Sequence, residues 1–390
     1  MSVPHGKARE RALYTLIALG IANHTALTGT RVSVSLAALD QGAGAAVVGT
    51  LMSLYALLPM FSALAVGRWS DRIGFRPPLL MGSLGLAIGA ALPCIVPGLP
   101  ALFLSAAIVG LAFMTFQLSA QHATGELADA STRATNFSLL AVGYSTSGFL
   151  GPLSAGLVID HGGFTIAFAL FTALPLVSVV VLMRGRPRLP KPHREHEASR
   201  GDVRDLLAHR ALRRVLAINV LLAAAWDLHT IFVPVYGARI GLSASAIGSI
   251  LSAFSAATFV VRAAMPKISR RLREEQVLTI ALFIAGAVYL VFPLVQAAPV
   301  LTALSFCLGL GLGGSQPMTM SLLHAHAPAG RAGEVVGLRM SLVQTSAAAV
   351  PLVFGAVGAT FGVAPVLWSV GAILTGGGYY SKRSSSRKGG

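Results

Sequence analysis

Stretches of about twenty mostly apolar residues recur along almost the whole chain, and that recurrence limits the fold more than any single residue does. This is the length an α-helix needs to cross the hydrocarbon of a bilayer. Within hydrocarbon only helices and closed β-barrels pair every backbone group, and a barrel would show alternating segments of about ten residues instead. Only 11% of the 390 residues are charged, against about 25% in soluble domains, and the mean hydropathy is +0.72. The expectation is an all-α polytopic membrane protein.

Twelve crossings are predicted. The first six are Ala12–Leu36, Ala45–Val66, Pro78–Val96, Ala101–Gln121, Asn136–Ile159 and Phe164–Met183. The second six are Val215–Tyr236, Ala244–Ala264, Val277–Val295, Val300–Leu323, Gly337–Val357 and Val363–Tyr380. Between them Arg184–Arg214 changes character, with Pro, His, Arg and Glu and few apolar residues, and reads as a linker with a short amphipathic helix over Asp202–Leu212. The expected organisation is a six-helix bundle at 1–183, a basic linker at 184–214, and a second bundle with a short basic tail at 215–390.

The net charge of +16 would suit a nucleic-acid partner, but its placement excludes that reading. Of the 30 Lys and Arg, 28 fall in or beside the loops of one face, including Arg262, Arg331 and Arg339; the exceptions are Arg31 and Arg239. The positive-inside rule makes that face, the linker and both termini cytoplasmic, with anionic lipid heads as a further attraction. No nucleotide loop, metal-ligand spacing or nucleophile motif is present, so no cofactor or metal is expected. Cys94 and Cys307 read as small core residues. His193, His196, His324 and His326 read as solvated loop residues.

The two halves align at one offset of 199 residues. Gly49 meets Gly248, Pro100 meets Pro299, Gly110 meets Gly309, Gln117 meets Gln316, Pro152 meets Pro351 and Gly156 meets Gly355. Two parallel six-helix repeats are one of the arrangements found in secondary transporters.

Between the second and third apolar segments lies Gly67-Arg68-Trp69-Ser70-Asp71-Arg72-Ile73-Gly74-Phe75-Arg76-Pro77-Pro78-Leu79, read as a short charged link in which Gly74 takes a positive φ at the turn. Gly67, Asp71, Arg72, Gly74 and Arg76 match the loop between the second and third helices of the major facilitator superfamily, which this chain resembles over nearly its whole length. Phe75 departs, standing where the family has a basic residue. A second run, Gly148-Phe149-Leu150-Gly151-Pro152-Leu153-Ser154-Ala155-Gly156, resembles the fifth-helix motif of the family's antiporters through Gly148, Gly151, Pro152 and Gly156. Ala155 replaces one of its glycines and Ser147 stands at another. An ordinary Gly/Pro packing face accounts for the same residues.

The resemblance implies a secondary transporter working by alternating access, not an enzyme, in a bacterial-type cytoplasmic membrane. The activity it favours is proton-coupled export of a small organic molecule. Proton-coupled uptake of a metabolite and a ligand sensor without flux are the alternatives. Small-molecule substrate, protons and the lipid bilayer are the expected partners, and the chain is expected to be a monomer. In the family the gating-loop aspartate, here Asp71, locks the cytoplasmic side, and helices 1, 4, 7 and 10 line the cavity. On or near those helices lie Asn23, His24, Thr28, Gln117, Gln121, His229 and Gln316, with Tyr144 on the fifth. A helix-to-helix hydrogen bond explains each singly, and as a set they favour the cavity.

Asp227 is the one acid well inside an apolar segment. A charged Asp at mid-membrane costs about 2.5 to 3.5 kcal/mol on insertion scales, so it needs a compensating group or a proton. The repeat offset sets it opposite Thr28, and Arg31 lies one turn further, about 4.5 Å along the axis. Asp227 and Arg31 are the expected proton-coupling pair; structural roles for each, Arg31 reaching the outer surface and Asp227 bonding His229 or a Thr, remain open. The topology has its own test. Reporter fusions at Gly42, Gly98, Gly162 and Gly358 should report the outside and one at Ser199 the inside; an external signal at Ser199 would reverse the assignment.

Overall fold

A computed structural model describes residues 7–128, 132–185, 187, 189, 203–328 and 331–386. The helices are α1 (Lys7–Asp40), α2 (Ala45–Ile73), α3 (Arg76–Ile95), α4 (Leu99–Glu126), α5 (Arg133–Met183), α6 (Val203–Ala208), α7 (Arg210–Arg239), α8 (Ala244–Ile268), α9 (Glu274–Val291), α10 (Ala298–Leu312), α11 (Ser315–His326), α12 (Ala332–Phe361) and α13 (Val363–Ser386). No strand occurs among the described residues. Among the described residues, nine stretches are long and apolar enough to cross a membrane by length and composition. The one in α5 holds two crossings. α1 falls outside the nine because Asn23, His24, Thr28 and Arg31 dilute its apolar run.

Several boundaries differ from those expected. The charged link is mostly helix: α2 runs to Ile73, and the chain turns only at Gly74 and Phe75, with Gly74 at φ +88° as expected. The side chains of Gly67 and Asp71 lie outside the described ones. The fifth and sixth crossings are two helices parted at Gly163 (φ 78°, ψ 175°), where the expected boundary falls, and both lie within α5. The tenth is two helices, α10 and α11, parted at Gly313 and Gly314. The amphipathic helix stops at Ala208, and α7 starts at Arg210 inside the expected linker. The eleventh crossing, α12, begins at Ala332, which places Arg339 two turns inside it, and Arg262 likewise lies within α8. His324 and His326 are in the last turn of α11, where His326 Nδ1 lies 2.8 Å from the Leu322 carbonyl. Cys307 is exposed on α10 rather than in the core.

The chain forms two compact units. The first holds α1, α3, α4, α5, α2 from Leu54 onward, and the start of α8 at Ser243–Gly248. In it α1 packs along α5, and α3 packs on α4 and α5. Leu16, Leu79, Phe116, Leu140 and Leu182 meet in one buried cluster. The second holds α6, α7, α9 to α13, the rest of α8, and the start of α2 at Gly44–Ser53. Here α7 packs on α11 and α12, and α9 on α10 and α13. Phe232 is its aromatic centre, edge-on to Phe292 at 4.7 Å and to Tyr289 at 5.7 Å.

The repeat seen in sequence is also a repeat of contacts. A methyl on Gly110 would lie 2.5 Å from the Tyr55 carbonyl, and one on Gly309 would overlap the Phe254 carbonyl; Tyr55 and Phe254 are themselves one offset apart. Lipid offers helices no hydrophobic reason to associate, so small residues that admit a neighbouring backbone supply the contact area.

Charged side chains close the helix ends. Arg76 donates from Nε to the Leu182 carbonyl at 3.0 Å and from Nη2 to the Met183 carbonyl at 3.2 Å, capping α5. Arg214 caps Ser381, the counterpart of Leu182, at 2.6 Å. A cation suits both places, since each helix C-terminus carries unpaired carbonyls and partial negative charge. Asp160 accepts the backbone N–H of Ala244 at 3.0 Å and of Ser245 at 2.8 Å, capping α8 from another helix. Gly110→Leu should wedge the α2–α4 seam and cut the monodisperse yield in detergent several-fold, whereas Gly376→Leu, on an exposed face with nothing near it, should be tolerated. Equal yields on size-exclusion chromatography would remove close packing at Gly110 as a constraint.

Candidate functional site

The polar residues of the first unit gather along α1. Asn23 is fully buried and donates from Nδ2 to the Leu19 carbonyl and to Ser178 Oγ, both at 2.8 Å. Thr28 Oγ1 lies 3.0 to 3.3 Å from the carbonyls of His24, Thr25 and Ser147. Both side chains stitch α1 to α5. Gly151 of the fifth-helix motif has Thr28 Oγ1 where its side chain would go, and Gly156 has the Ala244 carbonyl, so the motif works here as two packing surfaces. His24 sits between Phe113 and Tyr144, with ring centroids at 5.2 and 5.0 Å. The buried Tyr144 hydroxyl has no hydrogen-bond partner among the described residues. Gln117 and Gln121 are half-buried on α4. Arg31 lies with its guanidinium 5.5 Å from the centroid of the Tyr55 ring, a cation–π contact.

The second unit holds a cavity of about 180 Å³ lined by Asn219, Trp226, Asp227, Arg262, Gln316 and Arg339, with Leu222, Ala223, Leu312, Ser315 and Val343 completing the wall. Each polar wall residue has a structural reason to be there. α7 carries Asn219, Trp226 and Asp227 on one face, at i, i+7 and i+8. The break between α10 and α11 sets Ser315 and Gln316 at the first turn of a new helix. Arg339 is 7% exposed and donates from Nε to Asn219 Oδ1 at 3.1 Å, binding α12 to α7. Trp226 is braced edge-on by Phe254, centroids 4.6 Å apart.

Asp227 and Gln316, both expected at a cavity, are brought together by this one. His229 is not in its wall. It is fully buried, shares a 3.0 Å hydrogen bond with Ser305 and stacks on Phe254 at 4.6 Å, so it holds α7 to its neighbours. Thr230 hydroxyl bonds the backbone carbonyl of Asp227, at 2.8 Å. Asp227 and Arg31 belong to different units. Arg262, Arg339, Asn219 and Trp226 were not anticipated as site residues. The two arginines had been assigned to the cytoplasmic rim, whereas a periodicity test on α8 and α12 would have found each on a helix whose neighbours are apolar.

An all-helical membrane fold built from two repeats, with ionisable groups around a cavity between helices long and apolar enough to cross a membrane, fits a secondary transporter of small molecules. Comparison with known proteins agrees. The chain matches the Major Facilitator Superfamily over residues 16–351. It is 28% identical to the class D tetracycline resistance protein of Salmonella ordonez, over 78% of this chain and 78% of that protein. It is 25% identical to multidrug resistance protein MdtG of Salmonella choleraesuis (strain SC-B67), over 86% of this chain and 85% of that protein. A POT family transporter in complex with 5-aminolevulinic acid shares the fold at TM-score 0.82 and 14% identity, covering 97% of this chain and 96% of that one. The chain belongs to the Major Facilitator Superfamily; it is an integral membrane transporter and not an enzyme.

The orphan hydroxyl of Tyr144 gives a measurable expectation. A buried hydroxyl without a partner costs about 1–3 kcal/mol, so Tyr144→Phe should leave the melting temperature unchanged or raise it. A clear fall in a thermal-shift assay would mean that the hydroxyl is paired in the folded protein.

Proposed function

We propose that this chain drives a small organic molecule out of the cytoplasm in exchange for protons, with Asp227 as the carboxylate that takes up and returns the proton. The observation that supports this most is a single carboxylate at membrane depth in the wall of a cavity that also holds Gln316, Asn219 and two guanidinium groups. Ionisable groups at that depth are costly and mark ion and proton pathways. The names of the two resistance proteins favour export. Arg31 was the expected partner of Asp227; the present reading gives that role to Arg262 and Arg339, which line the same cavity. The chain works in a bacterial-type cytoplasmic membrane as a monomer, both termini cytoplasmic, a placement supported by the basic residues gathered in the loops of one face.

A second reading is uptake by proton symport, and the charge of the cavity favours it. Two guanidinium groups face one carboxylate. An anion bound there and a proton on Asp227 stabilise each other, because each relieves a repulsion the other would feel. Mutual stabilisation is the sign a symporter needs, and mutual exclusion the sign an exchanger needs.

Direction is decided by flux. A susceptibility panel comparing a deletion strain with its complemented parent identifies a transported compound, and proteoliposomes then test coupling. For exchange, acid inside the vesicles should drive accumulation; for symport, acid outside. In either case Asp227→Asn should abolish the response to the gradient while slow exchange continues. If that variant still concentrates substrate with the wild-type pH profile, the coupling role passes to another group, with His24 and Asp40 next.

A further inference from the structure

The cavity of the second unit carries charged side chains at positions where the first repeat has none. The repeat supplies the control. One offset earlier, Asn219, Trp226, Asp227, Arg262 and Arg339 become Gly20, Leu27, Thr28, Ala63 and Leu140. The first repeat therefore has no ionisable residue at those five positions. Arg339 and Asn219 are 7% and 5% exposed, and polar groups at that depth are retained at a cost.

The hydrogen bond between them fixes which chemistry remains on offer. Arginine only donates, so the Asn219 amide must turn Oδ1 toward Arg339 Nε. Its Nδ2 then points elsewhere, buried and without a partner among the described residues. Two donor hydrogens are left beside a guanidinium that bonds Asn219 through Nε and Met340 through Nη1. What this corner lacks is an acceptor. Across the cavity Arg262 adds a second cation, and among the described lining residues Asp227 is the one carboxylate, so two guanidinium groups share the wall with one acid. Trp226, held edge-on by Phe254, offers an aromatic surface. At about 180 Å³ the space is smaller than the roughly 300–1,000 Å³ of drug-sized sites.

We propose that this cavity binds a small organic acid. Arg339 and Asn219 hold the oxygens of its anionic group, Arg262 supplies the second cation, and Trp226 packs against its apolar body. The proposal rests on the reading of the chain as a small-molecule transporter, not on the direction of transport. A monoanion balances the charges of the described lining residues and gives Asn219 Nδ2 its acceptor. Arginine suits the task because its donors match a carboxylate or phosphate in paired geometry.

The test uses the full chain in phosphatidylcholine nanodiscs and three probes of one shape: benzoate, benzamide and benzylamine. Binding is read from Trp226 fluorescence in a Trp69→Phe/Trp368→Phe background, and by isothermal titration of the unmodified chain. Benzoate should bind saturably and the neutral and cationic probes at least about tenfold more weakly, the size expected for one charge-assisted hydrogen bond. Arg339→Met should lose that preference, and Arg339→Lys should restore part of it. Should Arg339→Met fail to fold, Arg262→Gln and Asn219→Leu carry the same expectation. Equal affinity for all three probes, or a benzoate preference untouched in every folded variant, overturns the proposal. Phosphatidylglycerol in the discs separates the two sources of an anion: if it abolishes benzoate binding, the site holds a lipid headgroup and a soluble acid is not its ligand. Binding as expected with no flux of any probe in proteoliposomes would sink the transport reading and leave the site. Flux of a compound indifferent to all the cavity variants would do the reverse.

Discussion

In hydrocarbon no water is available to pair a backbone N–H or C=O, and the structure follows from that single fact. It makes the described chain helical almost throughout and turns each helix end into a problem that a side chain must solve. Arg76 and Arg214 solve it for carbonyls at equivalent helix ends, and Asp160 solves it for the first N–H groups of α8. It also removes the usual force that holds a core together. Dispersion between closely approaching backbones replaces it, so the contact positions are Gly, and they recur at the same places in both repeats.

The same constraint explains why the polar residues divide into two kinds. Asn23, Thr28 and His229 are spent on neighbours: Ser178, the α5 backbone and Ser305 respectively. Their hydrogen bonds stay within the protein and hold one helix to the next. Asp227, Arg262, Arg339 and the free end of Asn219 gather instead around open space. A charge costs less beside a cavity than in lipid, and there it is also available to a ligand.

Hydropathy and the spacing of Gly and Pro made much of this legible before any coordinates, because both signals are set by the bilayer and by backbone approach. The repeat offset led from Gly110 to Gly309 and from Thr28 to Asp227. The cavity was legible only in part. Asp227 stood out as a lone acid in an apolar run, and Gln316 as the echo of Gln117. Arg262 and Arg339 did not stand out, since a cation near a helix end satisfies the positive-inside rule just as well from the rim as from two turns within. Asn219 lies near the start of α7, where a polar residue needs no special reason. The clasp of Asp160 on α8 joins residues more than eighty positions apart, with no local signature.

The uncharged counterpart of the cavity in the first repeat bears on how such a protein changes over time. Its positions hold Gly20, Leu27, Thr28, Ala63 and Leu140, and that half folds. On the proposed reading the wall side chains choose the ligand, and Arg339 and Asn219 also join α12 to α7. Substitutions at the other wall positions can alter what is recognised. A duplicated scaffold of this kind has a spare half in which new specificities can arise while the old one continues to serve.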